Sequence, residues 1–360
     1  MRDERVVESA GVGEGSEVVE RPAGRLVFAY SGLGSVWPGM GRGLLAEPVA
    51  ARILERCEEL VRQSEGWSLL EQVTAGREVC RLGDPTVAQP ALFAMQAALT
   101  ELWRSWGVDP DAIVGTSVGE IAAAYAAGAL DLEVACRVAV CRGRAVGSMS
   151  GSGSMAVVGM SARDIGELIG SVAGRLWVAV DLSPAHTLIA GDREAVAAVG
   201  PLVRERGATW ELRYPDHPLH SPLMEPARRE LAALENVVPR TPDRPIFSSL
   251  TGGQAPPGAY GPVYWARTLV SPVLLQDAVL AATADGPATV VEIGPRASLT
   301  PMMRLTLAAR RRPATVLPSM SAHADARGGM LEAAARLSAL RHRPDLVRPS
   351  ASARESLRRR

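Results

Sequence analysis

The chain has 360 residues, 47% of them apolar, and no net charge at neutral pH. That length supports one large folded unit, or a large unit carrying a smaller one. The apolar share excludes global disorder, and the charge balance gives no reason to expect nucleic acid or an anionic membrane as the main ligand.

In chain order, residues 1–23 are rich in Gly, Glu and Val without helical period and read as a flexible leader. Arg25–Tyr30 is a short apolar run, a buried strand, and it stops at the glycine-rich loop Ser31–Ser35. Helical patterning follows over Leu44–Arg62 and Pro90–Trp106. Ala112–Val114 is a second short strand, Gly115-Thr116-Ser117-Val118-Gly119 a tight turn, and Glu120–Gly128 an alanine-rich helix. Strand, glycine turn and helix in that order are the local pattern of an α/β fold with parallel strands. The Ser- and Gly-rich stretch Ser148–Ser154 reads as a connector. Beyond it, strands over Met155–Met160, Leu176–Val180 and Thr187–Ala190 alternate with helices over Ala162–Val172 and Arg193–Arg206, two βαβ-like passes of a small inserted α+β unit. After Tyr214 the chain is expected to rejoin the large unit with a helix near Glu225–Leu234 and strands over Pro245–Leu250 and Thr289–Ile293. The resulting division is 24–150 with 214–318 as the large catalytic unit, 151–213 as the small one, 319–345 as a C-terminal helical segment and 346–360 as a flexible tail. No apolar h-region opens the chain and no apolar run approaches the ~20 residues that span a bilayer. A cytoplasmic protein is expected.

All 39 basic residues are arginine, which excludes a lysine Schiff base, a Walker lysine and a Ser-Lys dyad. Cys57, Cys80, Cys136 and Cys141 form no C-x-x-C and lie near no histidine pair, so free thiols are expected and a metal site is not. The Gly-x-Ser-x-Gly turn carries the strongest chemical signal. Glycines two residues either side of Ser117 permit a strained turn that projects its hydroxyl, and the following helix aims its N-terminal dipole at the site. A serine nucleophile needs a base. Of five histidines, His323 and His342 fall in the solvated C-terminal region and His186 precedes a strand of the small unit. His217 and His220 share the Pro-rich loop 216–222, and composition alone leaves the choice between them open.

Several segments now carry a resemblance. Phe28–Ser35 with Trp37–Gly41, Gln89-Pro90-Ala91, Gly115–Glu120, Val140–Ala145, His217–Pro222, Tyr264–Arg267 and Val291–Pro295 are similar, in the same order, to motifs of the malonyl-CoA:acyl-carrier-protein transacylases and the acyltransferase domains of polyketide synthases. The resemblance covers about residues 25–340. It implies an α/β fold, with a large α/β-hydrolase-like domain built on a parallel sheet and a small inserted ferredoxin-like α+β subdomain. It implies a Ser117–His220 dyad, with the histidine oriented by backbone carbonyls, here expected from Ser248–Thr251. It also implies oxyanion donors at the N–H groups of Leu33 and Val118. Arg142 matches the arginine that pairs with the free carboxylate of a malonyl-type acyl group, a task suited to a planar guanidinium. Gln89, Thr116, His217 and Leu219 fall at positions implied to contact substrate. Thr116 and Leu33 stand where the family carries histidine and glutamine, and Thr268 and Arg296 where it carries asparagine and histidine.

The implied activity moves an acyl group, malonyl or a related carboxyacyl, from acyl-CoA to the phosphopantetheine thiol of an acyl carrier protein. No cofactor is needed, and a polyketide synthase is a candidate partner. The starting methionine and the lack of a ketosynthase-like segment suggest a discrete enzyme acting in trans. An editing hydrolase of acyl carrier proteins, a transferase of unusual starter units between carriers, and a non-catalytic scaffold are the competing readings.

Overall fold

The computed structural model describes residues 24–320 and 326–340, the side chains of residues 326 and 327 excepted. The expected leader and tail, His323 and His342 lie outside the described residues. In chain order the elements are β1 (Arg25–Tyr30), α1 (Pro48–Glu65), α2 (Leu69–Thr74), α3 (Pro85–Ser105), β2 (Ala112–Gly115), α4 (Gly119–Ala126) and α5 (Leu132–Gly147). There follow β3 (Ser154–Val158), α6 (Ala162–Ile169), β4 (Leu176–Ser183), β5 (His186–Gly191), α7 (Arg193–Glu205) and β6 (Trp210–Tyr214). The chain then forms α8 (Glu225–Ala232), β7 (Ile246–Ser248), β8 (Gly253–Gln254), α9 (Pro262–Val270), β9 (Val273–Leu274) and α10 (Leu275–Ala282). It closes with β10 (Ala288–Ile293), α11 (Thr300–Ala309), β11 (Ala314–Pro318) and α12 (Ala326–Ala339).

The larger sheet runs β11-β10-β1-β2-β7-β8, parallel throughout except for the two-residue β8. β2, β7 and β10 are buried along their whole length and β1 at all but its first residue, which fits a sheet covered on both faces and explains why the strands read as unbroken apolar runs. The sheet brings the carboxyl ends of β1 and β2 together, Tyr30 level with Gly115 and the Thr116 N–H donating to Tyr30 O at 3.1 Å. Loops at such ends are where open α/β sheets place their ligands.

The smaller sheet runs β6-β3-β5-β4-β9. β3 and β4 are both antiparallel to β5, and β6 is antiparallel to β3, so each βαβ pass is split by a strand of the other. One face packs Ala156, Val158 and Ile189 against Ile165 of α6 and Val196, Val199 and Val203 of α7. Met155, Ala179 and Ala190 instead belong to the core of the larger unit. β9 pairs with β4 although it belongs to the segment after the return, so residues 273–274 stitch the smaller sheet onto the larger unit. Several expected bounds move by a few residues, two of them for a visible physical reason. α3 starts at Pro85 rather than Pro90, because Asp84 caps it by accepting from Thr86 N at 2.9 Å. The strand expected over Pro245–Leu250 shortens to Ile246–Ser248, because the hydroxyls of Ser248 and Ser249 turn to a buried carboxylate. No helix among the described residues is long and apolar enough to cross a membrane.

Candidate active site

β2 and α4 present Ser117 at φ 53°, the left-handed region that costs a non-glycine residue strain. The flanking glycines are required sterically. A Cβ on Gly119 would lie 2.5 Å from the carbonyl oxygens of both Tyr30 and Ser31, and one on Gly115 would lie 2.6 Å from Glu120 Cα. The strand–turn–helix step closes only around bare backbone at both positions.

His220 also has positive φ, 62°, and is buried. Its N–H donates to Leu269 O at 2.8 Å, which anchors the loop to α9. Nε2 lies 2.9 Å from Ser117 Oγ and Nδ1 3.3 Å from Ser271 O. A carbonyl can only accept, so Nδ1 carries the proton and Nε2 turns its lone pair to the serine hydroxyl. Burial, reinforced by the charge of Arg142, pushes the imidazole down to about 3 against the opposing carbonyls of Ser271 and Thr268. It is a neutral base at physiological pH. The orienting carbonyl is therefore Ser271 O and not one from Ser248–Thr251, which corrects the expectation. The C-terminal end of α9, whose cap is Ser271, brings that carbonyl to the histidine, while Ser248 and Ser249 bond Glu120.

Arg142, on α5, is 1% exposed. Nη1 donates to Gln89 Oε1 at 2.7 Å, Nη2 to Ser117 Oγ at 3.3 Å and Nε to Thr268 Oγ1 at 3.5 Å. All three partners are uncharged, so no carboxylate among the described residues touches this guanidinium. Burial pulls its pKa down to about 10, offset in part by the more distant charge of Glu120. A buried cation without a contacting anion is costly.

Gln89 is fully buried and its Nε2 has no partner among the described residues, so a donor beside Arg142 is left over. The Thr116 hydroxyl is also buried without a partner among them. Leu33 and Val118 sit on the two loops that converge on Ser117. Val118 precedes α4, and Leu33 opens a single 3-10 turn, Leu33–Ser35. Gln96 Nε2 holds the Leu33 loop through Ser31 O at 2.8 Å and Ile293 O at 3.0 Å. Neither N–H donates to an acceptor among the described residues. Leu219 is buried and His217 half-buried, its Nε2 enclosed without a described partner and its pKa lowered by burial; neither makes a polar contact with Ser117 or Arg142. His186 bonds Ser183 at the turn between β4 and β5. The four cysteines are free.

Sequence reasoning assigns no role to Glu120, Thr268 or Ser271, and gives Ser249 only that of a candidate backbone carbonyl for the histidine. The available signals were a carboxylate opening an otherwise apolar helix and paired serines at the end of a core strand.

The family model described as acyl transferase domain matches residues 27–343. Over 303 residues the chain is 35% identical to polyketide synthase GfsB of Streptomyces halstedii, an alignment covering 83% of the chain and 5% of the relative. It is 34% identical over 297 residues to erythronolide synthase EryA3 of Saccharopolyspora erythraea, covering 82% of the chain and 9% of the relative. The chain thus spans a small part of these curated relatives. Among solved structures, the acyltransferase domain from module 8 of the salinomycin polyketide synthase superposes with a TM-score of 0.84 at 31% identity, over 89% of this chain and 76% of that one.

Proposed function

The chain belongs to the acyl transferase domain family, and from that premise we propose that it transfers a carboxyacyl group, malonyl or a close relative, from CoA to the phosphopantetheine thiol of an acyl carrier protein. The observation that carries this reading is the buried, uncompensated guanidinium of Arg142 beside a strained serine bonded to a neutral histidine.

In the first half-reaction Ser117 Oγ attacks the thioester carbonyl while its proton passes to His220 Nε2. The oxyanion is taken up by the N–H groups of Leu33 and Val118. Collapse breaks the carbon–sulfur bond, and the proton on His220 goes to the departing CoA thiolate. In the second half-reaction the carrier thiol gives its proton to His220 and attacks the acyl-serine ester, and Ser117 leaves as its hydroxyl. Throughout, Arg142 holds the acyl carboxylate with two parallel hydrogen bonds, and the spare Nε2 of Gln89 is a further donor beside it. Nδ1–H of His220 stays on Ser271 O, and the imidazolium formed in transit is met by that carbonyl dipole. No cofactor enters the scheme.

The same reading treats 24–150 with 214–318 as an α/β-hydrolase-like unit and 151–213 as a ferredoxin-like insertion; the parallel large sheet and the split βαβ order of the small one support it. A time course with isotopically labelled malonyl-CoA, with and without carrier protein, tests the function. Label accumulating on the carrier supports transfer. Release of free malonate at the same rate with or without carrier would instead make the protein a hydrolase.

A further inference from the structure

Ser117 holds a left-handed backbone conformation that its own preferences oppose, so neighbouring bonds must impose it. One bond reaches its backbone nitrogen directly: the Ser117 N–H donates to Ser249 Oγ at 3.3 Å. Ser249 in turn donates its hydroxyl proton to Glu120 Oε1 at 2.6 Å. Glu120 is 1% exposed and collects three further donors, Leu250 N–H at 3.2 Å, Ser248 Oγ at 3.0 Å and the Tyr264 hydroxyl. No step of acyl transfer uses this carboxylate, yet it occupies the first turn of the helix that follows the nucleophile.

A hydroxyl has one proton and two lone pairs. Where a carboxylate takes the proton, the oxygen must turn a lone pair to its other neighbour, here the Ser117 N–H. Where no carboxylate takes it, the hydroxyl is free to rotate and donate elsewhere, and the N–H loses its acceptor. The arrangement also separates two adjacent amides. The Ser117 N–H is spent on the protein, which leaves the Val118 N–H as the first free donor at the mouth of α4.

We propose that Ser249 and Glu120 are positioning residues, a two-bond relay that locks the nucleophile turn so that Ser117 Oγ faces His220 and the Val118 N–H faces the reacting carbonyl. The relay rests on Ser117 being the nucleophile and is independent of which acyl group the enzyme carries. Glu120 sets the direction of the Ser249 hydroxyl, and Ser249 sets the backbone of Ser117.

The test is the rate at which a fluorophosphonate labels Ser117 in the full chain, followed by intact-protein mass spectrometry. The serine oxygen bonds phosphorus, fluoride leaves and the proton passes to His220. Ser249→Ala labels about tenfold more slowly than wild type, the scale expected when one orienting hydrogen bond at a nucleophile is lost. Ser249→Thr, which keeps the hydroxyl, restores the rate to within about twofold on the same grounds. Ser248→Ala deletes a comparable bond to the same carboxylate without touching Ser117, and it slows labelling far less than Ser249→Ala. Ser249→Cys preserves volume where alanine leaves a gap, and slowed labelling there supports the relay in the same way. Wild-type rates in Ser249→Ala or Ser249→Cys overturn the relay, as does equal slowing in Ser248→Ala and Ser249→Ala, which means general loosening. Wild-type protein that labels but refuses malonyl-CoA overturns the proposed cargo alone, the relay still being judged by its own variants. Wild-type protein that ignores the probe overturns both.

Discussion

Replacing Arg142 by methionine separates what the buried cation costs from what it does. Burial holds the guanidinium at about 10, well below its ordinary range, and at ~1.4 kcal/mol per tenfold that displacement works against the charged form by about 3 kcal/mol. Methionine removes this penalty at similar volume. It also removes bonds to Gln89, Thr268 and Ser117, each worth about 1 kcal/mol. The net is near zero, so Tm stays within about 3 °C of wild type. Activity should not be spared. Removing one partner of a buried charge pair costs about 3–5 kcal/mol, so kcat/KM for malonyl-CoA falls by roughly two to four orders of magnitude. Acetyl-CoA has no carboxylate to lose, and its rate holds or rises. The assay is paired kinetics with the two thioesters beside a thermal melt of the same preparation. A variant that uses malonyl-CoA within about tenfold of wild type, or loses both thioesters equally, refutes the carboxylate clamp.

Further outcomes follow from the depressed histidine and from the glycine contacts. Because His220 titrates at about 3, it stays neutral across the working range, and acylation measured by rapid quench is flat from about pH 5 to pH 8, losing rate only on the approach to its pKa. Arg142→Met relieves one cause of the depression, so the acid limb moves up in that variant; an acid limb near the ordinary histidine value of 6.5 in wild type contradicts the assignment. The same depression makes the unfolded chain bind the proton that the folded one refuses. Its contribution to stability is complete above about 6.5 and is lost as pH falls towards 3, visible as acid-dependent melting. Gly119→Ala places a methyl 2.5 Å from two backbone carbonyl oxygens and should cost about 3 kcal/mol or more. Gly34→Ala meets nothing within 4 Å and melts like wild type; equal melting of the two variants would refute the close approach.

What could be read in advance was whatever a local motif encodes. The Gly-x-Ser-x-Gly turn sat between an apolar strand and an alanine-rich helix, and its two glycines proved to be required by carbonyls and by Glu120. His220 was legible only through resemblance, since composition could not separate it from His217. The carbonyl that orients it lies outside Ser248–Thr251, the stretch expected to supply it. Ser271 is 51 residues from His220 and caps the C-terminal end of α9, the same helix whose Leu269 O takes the His220 N–H, a meeting that no local pattern in either segment encodes. Glu120 was visible as a letter but not as a hub, because its donors come from residues 248–250 and 264, brought together by sheet order. Pro90 read as a helix start because proline usually marks one, whereas the Asp84-Pro85 cap lies one turn and a half earlier. Long-range pairings of this kind lie beyond any reading of periodicity.

If the proposed chemistry holds, Ser117 carries a carboxyacyl ester in turnover. The direct test is peptide-level mass spectrometry of the enzyme quenched after brief exposure to malonyl-CoA without carrier protein. A malonyl adduct is expected on the peptide bearing Ser117, absent in Ser117→Ala, discharged on adding acyl carrier protein and not replaced by an acetyl adduct when acetyl-CoA competes at equal concentration. No adduct on that peptide, or one that the carrier protein leaves in place, contradicts the mechanism.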